Sequence, residues 1–206
     1  MITPVFRPLA DDETPLLERA TLGNLNWCGE RFTVSDLHTT TDFAHYTAVD
    51  PARGDFGIVA TVEDAPVGVV WAVFLPSDSP GYGFIDDETP EISVWVDAPF
   101  RGRGIGRRLT RQMIGEARER GLASLSLSVE QGNRAERPYS SEGFVPVDGR
   151  EDAGVMVLGP ARRPHRPGTP ATSMRWTAGS RRSGGTGALH DFRALRGQSA
   201  TPMDRP

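Results

Sequence analysis

Apolar and polar positions along the chain change period several times, and each change marks an element. Residues 3–9 alternate and predict a short opening strand, stopped by Ala10-Asp11-Asp12. Leu16, Leu17, Ala20 and Leu25 then recur at helical spacing, which predicts a helix from Thr14-Pro15 to about Trp27, capped by Asp11 or Asp12. Residues 31–51 are less regular and predict one short helix, capped by Ser35 or Asp36 and running through His45-Tyr46. Residues 57–63 and 67–74 read as two strands joined by a hairpin at Asp64-Ala65-Pro66. The second is apolar at nearly every position, so both of its faces should be covered. Residues 75–90 form a loop of Pro, Gly and acids.

The strongest pattern lies at residues 91–121. Residues 91–96 alternate and are β-branched or aromatic, as a strand should be. Residues 97–106 hold one proline and three glycines, a loop with unusual backbone freedom. From Ile105, apolar residues return at helical spacing (Leu109, Met113, Ile114, Ala117), and Gly121 stands where a helix ends. Farther on, residues 122–129 alternate leucine and valine against serine, a half-buried strand, and residues 155–158 predict a last one.

Composition changes the picture at one place. Up to Gly159 the chain has 14 arginines against 25 acids, and from Pro160 it has 9 arginines against Asp191 and Asp204. The reading is therefore a folded acidic domain over residues 1–159 and a basic arm over residues 160–206. The arm is dominated by Pro, Gly, Ser, Thr, Arg and Ala, and its only aromatics are Trp176 and Phe192. Such a stretch buries too little apolar surface to offset its ordering entropy, so a disordered tail is expected. With no folded motif there, nucleic acid is not expected as a partner, and the acidic body argues the same way. Cys28 is the sole cysteine, which excludes an internal disulfide and a multi-cysteine metal site. His38 and His45 are two helical turns apart, but no third ligand follows at a metal-site spacing, so no metal is expected. The N-terminal residues are short of apolar side chains and rich in acid, and no run reaches the ~18 apolar residues of a membrane span. A soluble cytoplasmic protein is expected, and its oligomeric state, a homodimer included, is left open.

A strand feeding a glycine-rich turn into a helix N-terminus is suited to hold a phosphorylated ligand. The amides of the first helical turn have no helical partner, and the helix dipole adds partial positive charge. Arg101, Arg103, Arg107, Arg108 and Arg111 reinforce that charge. A Rossmann fingerprint fails because Arg107 stands where its third glycine belongs, and a Walker A loop fails because the chain has no lysine. What remains, Arg101-x-x-Gly104-x-Gly106 after a strand ending in Val94-Trp95-Val96, resembles motif A of the GNAT superfamily of acetyl-CoA-dependent N-acetyltransferases. Residues 130–144 resemble the superfamily's next segment through Asn133, Tyr139, Gly143 and Phe144.

The resemblance covers nearly all of residues 1–159. It implies an α/β fold of the α+β kind, a mixed, mostly antiparallel sheet that splays after Val96 and is flanked by helices. The implied activity is acetyl transfer from acetyl-CoA to a primary amine of a small molecule or peptide. The alternative is a GNAT-fold module that binds acyl-CoA and transfers weakly. By resemblance, Val94, Trp95 and Val96 would bind the cofactor, the backbone of Val94 and Val96 pairing with the pantetheine arm like an extra strand. The amides of Gly102, Arg103, Gly104, Ile105, Gly106 and Arg107, beside Arg101, would hold the pyrophosphate, and Asn133 would contact the cofactor near the pantetheine. Tyr139 would protonate the leaving thiolate, and Glu91 would act as general base. The superfamily usually has an aliphatic residue where this chain has Pro138, and an apolar one in place of Glu142. A proline costs roughly 3 kcal/mol in a helix interior, so the helix bearing Tyr139 must start late, near Arg137. Asp78, Asp86, Asp87 and Glu88 could attract a cationic acceptor, and Phe43, His45 and Tyr46 could line its site.

Overall fold

A computed structural model describes residues 3–159 of the chain. The basic-arm reading lies outside these residues. The elements run β1 (Val5–Pro8), α1 (Thr14–Leu25), α2 (Val34–Thr39), α3 (Thr41–Ala44), β2 (Phe56–Val62), β3 (Ala65–Val73), β4 (Glu91–Val96), α4 (Ile105–Glu119), β5 (Leu125–Ser128), α5 (Glu136–Ser141), β6 (Val145–Pro146) and β7 (Val155–Leu158). The seven strands form one sheet in the order β1-β2-β3-β4-β5-β7-β6. Neighbours are antiparallel except β4 and β5, which are parallel and share a single register pair, Glu91 with Ser126.

That single pair matters most. On its other side β4 is fully paired, Glu91 through Val96 matching Val73 through Gly68 of β3. Toward β5 the pairing stops after Glu91, so the sheet splits and the downstream half of β4 keeps an open edge. This is the predicted splayed sheet, and the split begins at Glu91 rather than after Val96.

Alternation sends successive side chains to opposite faces and builds two cores. On one face Val70, Ala72, Ile92, Leu125 and Leu127 pack against the stripe Ile105, Leu109, Met113, Ile114 and Ala117 of α4. On the other, Val59, Val69, Trp71, Val73 and Trp95 pack against Leu16, Leu17 and Ala20 of α1 and against Tyr46. β3 serves both, with Val67 to Val73 buried throughout, which explains its unbroken apolar run.

The turns differ from the sequence expectations in detail. The β2–β3 hairpin turns at Glu63 and Asp64, both with positive φ, and Pro66 lies within β3 beside a register shift at Ala60/Thr61 that relieves its missing N–H. Helix α1 is not capped by Asp11 or Asp12. Its N-cap is Glu13, whose carboxylate instead takes both Arg7 nitrogens at 2.7 Å and the Ala10 amide at 2.9 Å. The expected single helix of residues 31–51 is two, because Thr40 is extended. Its cap is Thr33, not Ser35 or Asp36, and Asp36 closes a capping box with it. The pair β6 was not foreseen, since two residues carry no period. No described helix is long and apolar enough to cross a membrane.

Candidate active site

The β4–α4 turn opens onto a cleft of about 570 Å³ lined by Val94, Val96, Phe100, Arg101, Gly102, Gly104, Ile105, Gly106, Arg107, Thr110, Ala135, Arg137, Pro138, Tyr139 and Ser141. Gly102 and Gly104 sit at φ 73° and 78°, and a Cβ on either would project into open space. Glycine is needed there for the left-handed backbone, and the bare turn leaves room for a ligand to approach. The first backbone bond of α4 runs from the Arg108 amide to the Gly104 carbonyl at 3.1 Å. The preceding amides, Ile105 to Arg107, therefore lack helical partners and lie at the cleft wall, a site built for an anion.

The predicted residues divide. Val94, Val96, Arg101, Gly102, Gly104, Ile105, Gly106, Arg107 and Tyr139 meet in the cleft. Arg103 lies over the Phe100 ring, 5.6 Å from its centroid, and is not part of the lining. The Trp95 side chain points to the opposite face, where Arg19 stacks on it at 5.0 Å. Asn133 accepts the Ala135 amide at 3.0 Å and shapes the turn into α5 instead of facing the cleft. Helical spacing could have flagged Thr110, one turn after Gly106. Phe100, Ala135, Arg137 and Ser141 carried no local signal, because they reach the cleft only through the fold.

Pro138 is the third residue of α5, a position whose N–H has no helical partner, so the proline costs no bond. Tyr139 follows, half-buried, its ring edge-on to Phe144 at 5.8 Å. Burial pushes its phenol up to about 12, so the hydroxyl keeps its proton at neutral pH. Glu142, the other departure, ties α5 to α4. It accepts Arg107 Nε at 2.6 Å and Arg111 Nε at 2.8 Å, while Arg107 also donates to Ser141 Oγ at 2.8 Å. The two guanidiniums hold the Glu142 carboxyl below its usual range.

Glu91 lies on the other face, where the sheet split begins, and is only 4% exposed. Burial raises its pKa to about 7, against the lowering influence of the Tyr46 hydroxyl, which donates to Oε1 at 3.0 Å. Tyr46 in turn accepts the Tyr82 amide at 2.9 Å, and the Tyr46 and Tyr82 rings stack at 6.1 Å. His38 and His45 have separate partners. His38 pairs with Glu18 at 3.1 Å, and His45 Nε2 meets Ser79 Oγ at 3.1 Å. No group of three metal-ligating side chains occurs among the described residues.

A mixed sheet split beside a glycine-rich strand-to-helix turn defines the fold of GNAT-type acetyltransferases. The chain belongs to the acetyltransferase (GNAT) family, whose model matches residues 20–144. It is similar to the [Ribosomal protein bS18]-alanine N-acetyltransferase of Escherichia coli K12, 36% identical over 83 residues, 35% of this chain and 56% of that one. The chain thus spans about half the length of the curated relatives it matches. Its fold is similar to a GNAT family acetyltransferase of Staphylococcus aureus (TM-score 0.56, 14% identity, 76% of this chain and 99% of that one). It is equally similar to the PaiA N-acetyltransferase of Thermoplasma acidophilum, solved in complex with coenzyme A (TM-score 0.56, 11% identity, 77% and 99%).

Proposed function

We propose that residues 1–159 transfer an acetyl group from acetyl-CoA to a primary amine of a peptide or small molecule. The observation that carries this reading is the open edge of β4 beside a glycine cradle at the N-terminus of α4. An extended pantetheine can add to that edge like a strand, while the Ile105 to Arg107 amides and Arg101 hold the pyrophosphate. Acetyl-CoA brings the activated acyl carbon. This chain's own residues place it and move protons.

The acceptor arrives as an ammonium ion and must lose a proton before its nitrogen can attack. With a pKa near 7, the Glu91 carboxylate is matched to take it at neutral pH. Attack forms the C–N bond and breaks the C–S bond, and the nitrogen sheds its second proton to solvent. Tyr139, whose phenol stays protonated, supplies the thiolate's proton and is reprotonated from solvent. The products are the N-acetyl amine and CoA, with one proton released overall. Exposed Asp78, Asp87 and Glu88, on the loop above Glu91, favour a cationic acceptor. The similarity to ribosomal-protein alanine N-acetyltransferases makes an alanine-starting peptide the first acceptor to assay.

Calorimetric titration with acetyl-CoA, CoA and ATP tests the cofactor, and a thiol assay for CoA release against an amine panel tests transfer. Binding of both CoA forms over ATP, with acceptor-dependent release, is expected. Binding without release from any amine leaves the acyl-CoA-binding module. No binding of either CoA form removes the reading.

A further inference from the structure

The Glu91 face of the sheet is closed by one short stretch of backbone. Between β3 and β4 the chain folds back so that the tip Gly81-Tyr82-Gly83 lies over the split. A Cβ on Gly83 would stand 2.6 Å from the Leu127 carbonyl carbon and 3.0 Å from Glu91 Cδ. A Cβ on Gly81 would stand 2.3 Å from Glu91 Oε2 and 2.5 Å from the Tyr46 hydroxyl. Neither glycine has a positive φ, so space and not backbone freedom demands glycine at both positions. The tip is held by the Tyr82 amide on Tyr46, by the stacked rings, and by Arg150, which donates to the Phe84 carbonyl.

Among the buried polar atoms with no hydrogen-bond partner in the described residues are Glu91 Oε2 and Ser126 Oγ. They belong to the one register pair of β4 with β5, and alternation puts both side chains on the same face. Ser126 is wholly buried. The Gly83 amide faces the Glu91 carboxylate without closing a bond of ordinary geometry. Two unsatisfied oxygens at the split of the sheet, beneath the Gly83 amide, are costly to keep unless something else binds them.

We propose that the acceptor's amino group binds at Glu91 and Ser126, in the place the Gly81-Tyr82-Gly83 tip now fills, so that the tip is an internal competitor the acceptor must displace. This rests on the acyl-transfer reading above and adds its acceptor site. An amine offers what the two oxygens lack: N–H donors for Glu91 Oε2 and Ser126 Oγ. Closed, the tip seals the carboxylate from water. Displaced, it admits a primary amine to the split from the side opposite the cleft, and the acceptor then takes the tip's place in covering the carboxylate from water.

The test follows Glu91 directly, by carbon NMR of full-length protein labelled at glutamate carboxyls, the signal being assigned with Glu91→Gln. The titratable and charged groups around it are Tyr46 and His45 behind, Tyr82 on the tip and Arg150 across from it, and none of these is altered in Gly83→Ala. That variant cannot seat the tip. Tyr82→Ala, which removes the stacking phenol and keeps the backbone amide, serves if Gly83→Ala fails to fold. In both, the Glu91 midpoint is expected to fall from about 7 toward its unperturbed value of 4.5. Propylammonium, the probe, should half-saturate the Glu91 signal at about tenfold lower concentration, the factor for a tip closed about nine times in ten. In Ser126→Ala the same probe should bind several-fold more weakly, at unchanged acetyl-CoA affinity. A midpoint that stays near 7 in both tip variants, or one that falls with no gain in propylammonium binding, overturns the proposal. Unchanged amine binding in Ser126→Ala removes Ser126 from the site. These readings need no acetyl-CoA, so a protein that released no CoA would sink the transfer reading and still decide this one.

Discussion

On the α4 side of the sheet, the cleft is open, lined by glycines and arginines, and its key groups are backbone amides. On the α1 side, Glu91 is sealed under a loop and its key groups are buried side chains with altered acidity. Both sites meet at the same break between β4 and β5, but their physics is opposite. An anion-binding cradle works in contact with water, because amides at a helix start need only geometry. A carboxylate tuned to neutral pH must be kept from water, because desolvation is what raises its pKa. The contrast shows why one turn carries a readable motif and the buried carboxylate does not.

The largest effect should come from breaking the open side. Valine at Gly104 must take a left-handed backbone and fills the cradle. Gly104→Val should abolish detectable acetyl-CoA binding by calorimetry. The strain, ~1–2 kcal/mol, should lower Tm by no more than several degrees. Unchanged affinity would mean that the turn does not hold the cofactor.

Next is the sealed side. Glu91→Gln should lower kcat/KM at pH 8 by about 10²–10⁴ and remove the inflection near pH 7, while acetyl-CoA affinity holds. The same residue predicts a stability effect of definite sign. Its folded pKa of about 7 lies above the unperturbed 4.5, so its contribution is full below pH 4.5 and is lost as pH rises to 7. The loss is about 3 kcal/mol, and a Tm that falls over that window in wild type should fall less in Glu91→Gln. Parallel Tm curves would show that Glu91 is not the titrating group.

Smaller effects sharpen the comparison. Tyr139→Phe should reduce kcat by about 10–100-fold and leave acetyl-CoA affinity intact, since the ring still packs on Phe144. Equal loss in affinity would assign Tyr139 to binding instead. Smallest of all, Glu142→Gln weakens a largely solvent-facing clasp of Arg107 and Arg111. It should shift Tm by no more than a few degrees and lower kcat less than Tyr139→Phe does. A larger fall in kcat would mean that the α4–α5 clasp positions the phenol.

What the sequence alone determined is whatever depends on neighbours along the chain. Strand β4, its glycine turn and helix α4 form one continuous segment, so period, glycine placement and arginine content were enough to read the cradle, and the family with it. The proline before Tyr139 could also be judged locally, by counting turns from the helix start. What only the tertiary structure decided depends on residues far apart. Glu91 at a strand start is unremarkable until Ser126 pairs with it and Tyr46, Gly81 and Gly83 close over it, from segments as distant as residue 46 and residue 126. Trp95 and Asn133 illustrate the reverse. Alternation turns the Trp95 side chain to the α1 face, and Asn133 is taken up by the Ala135 amide at the turn into α5. The acidity of a carboxyl is set by the water it loses, and only packing between distant segments removes that water.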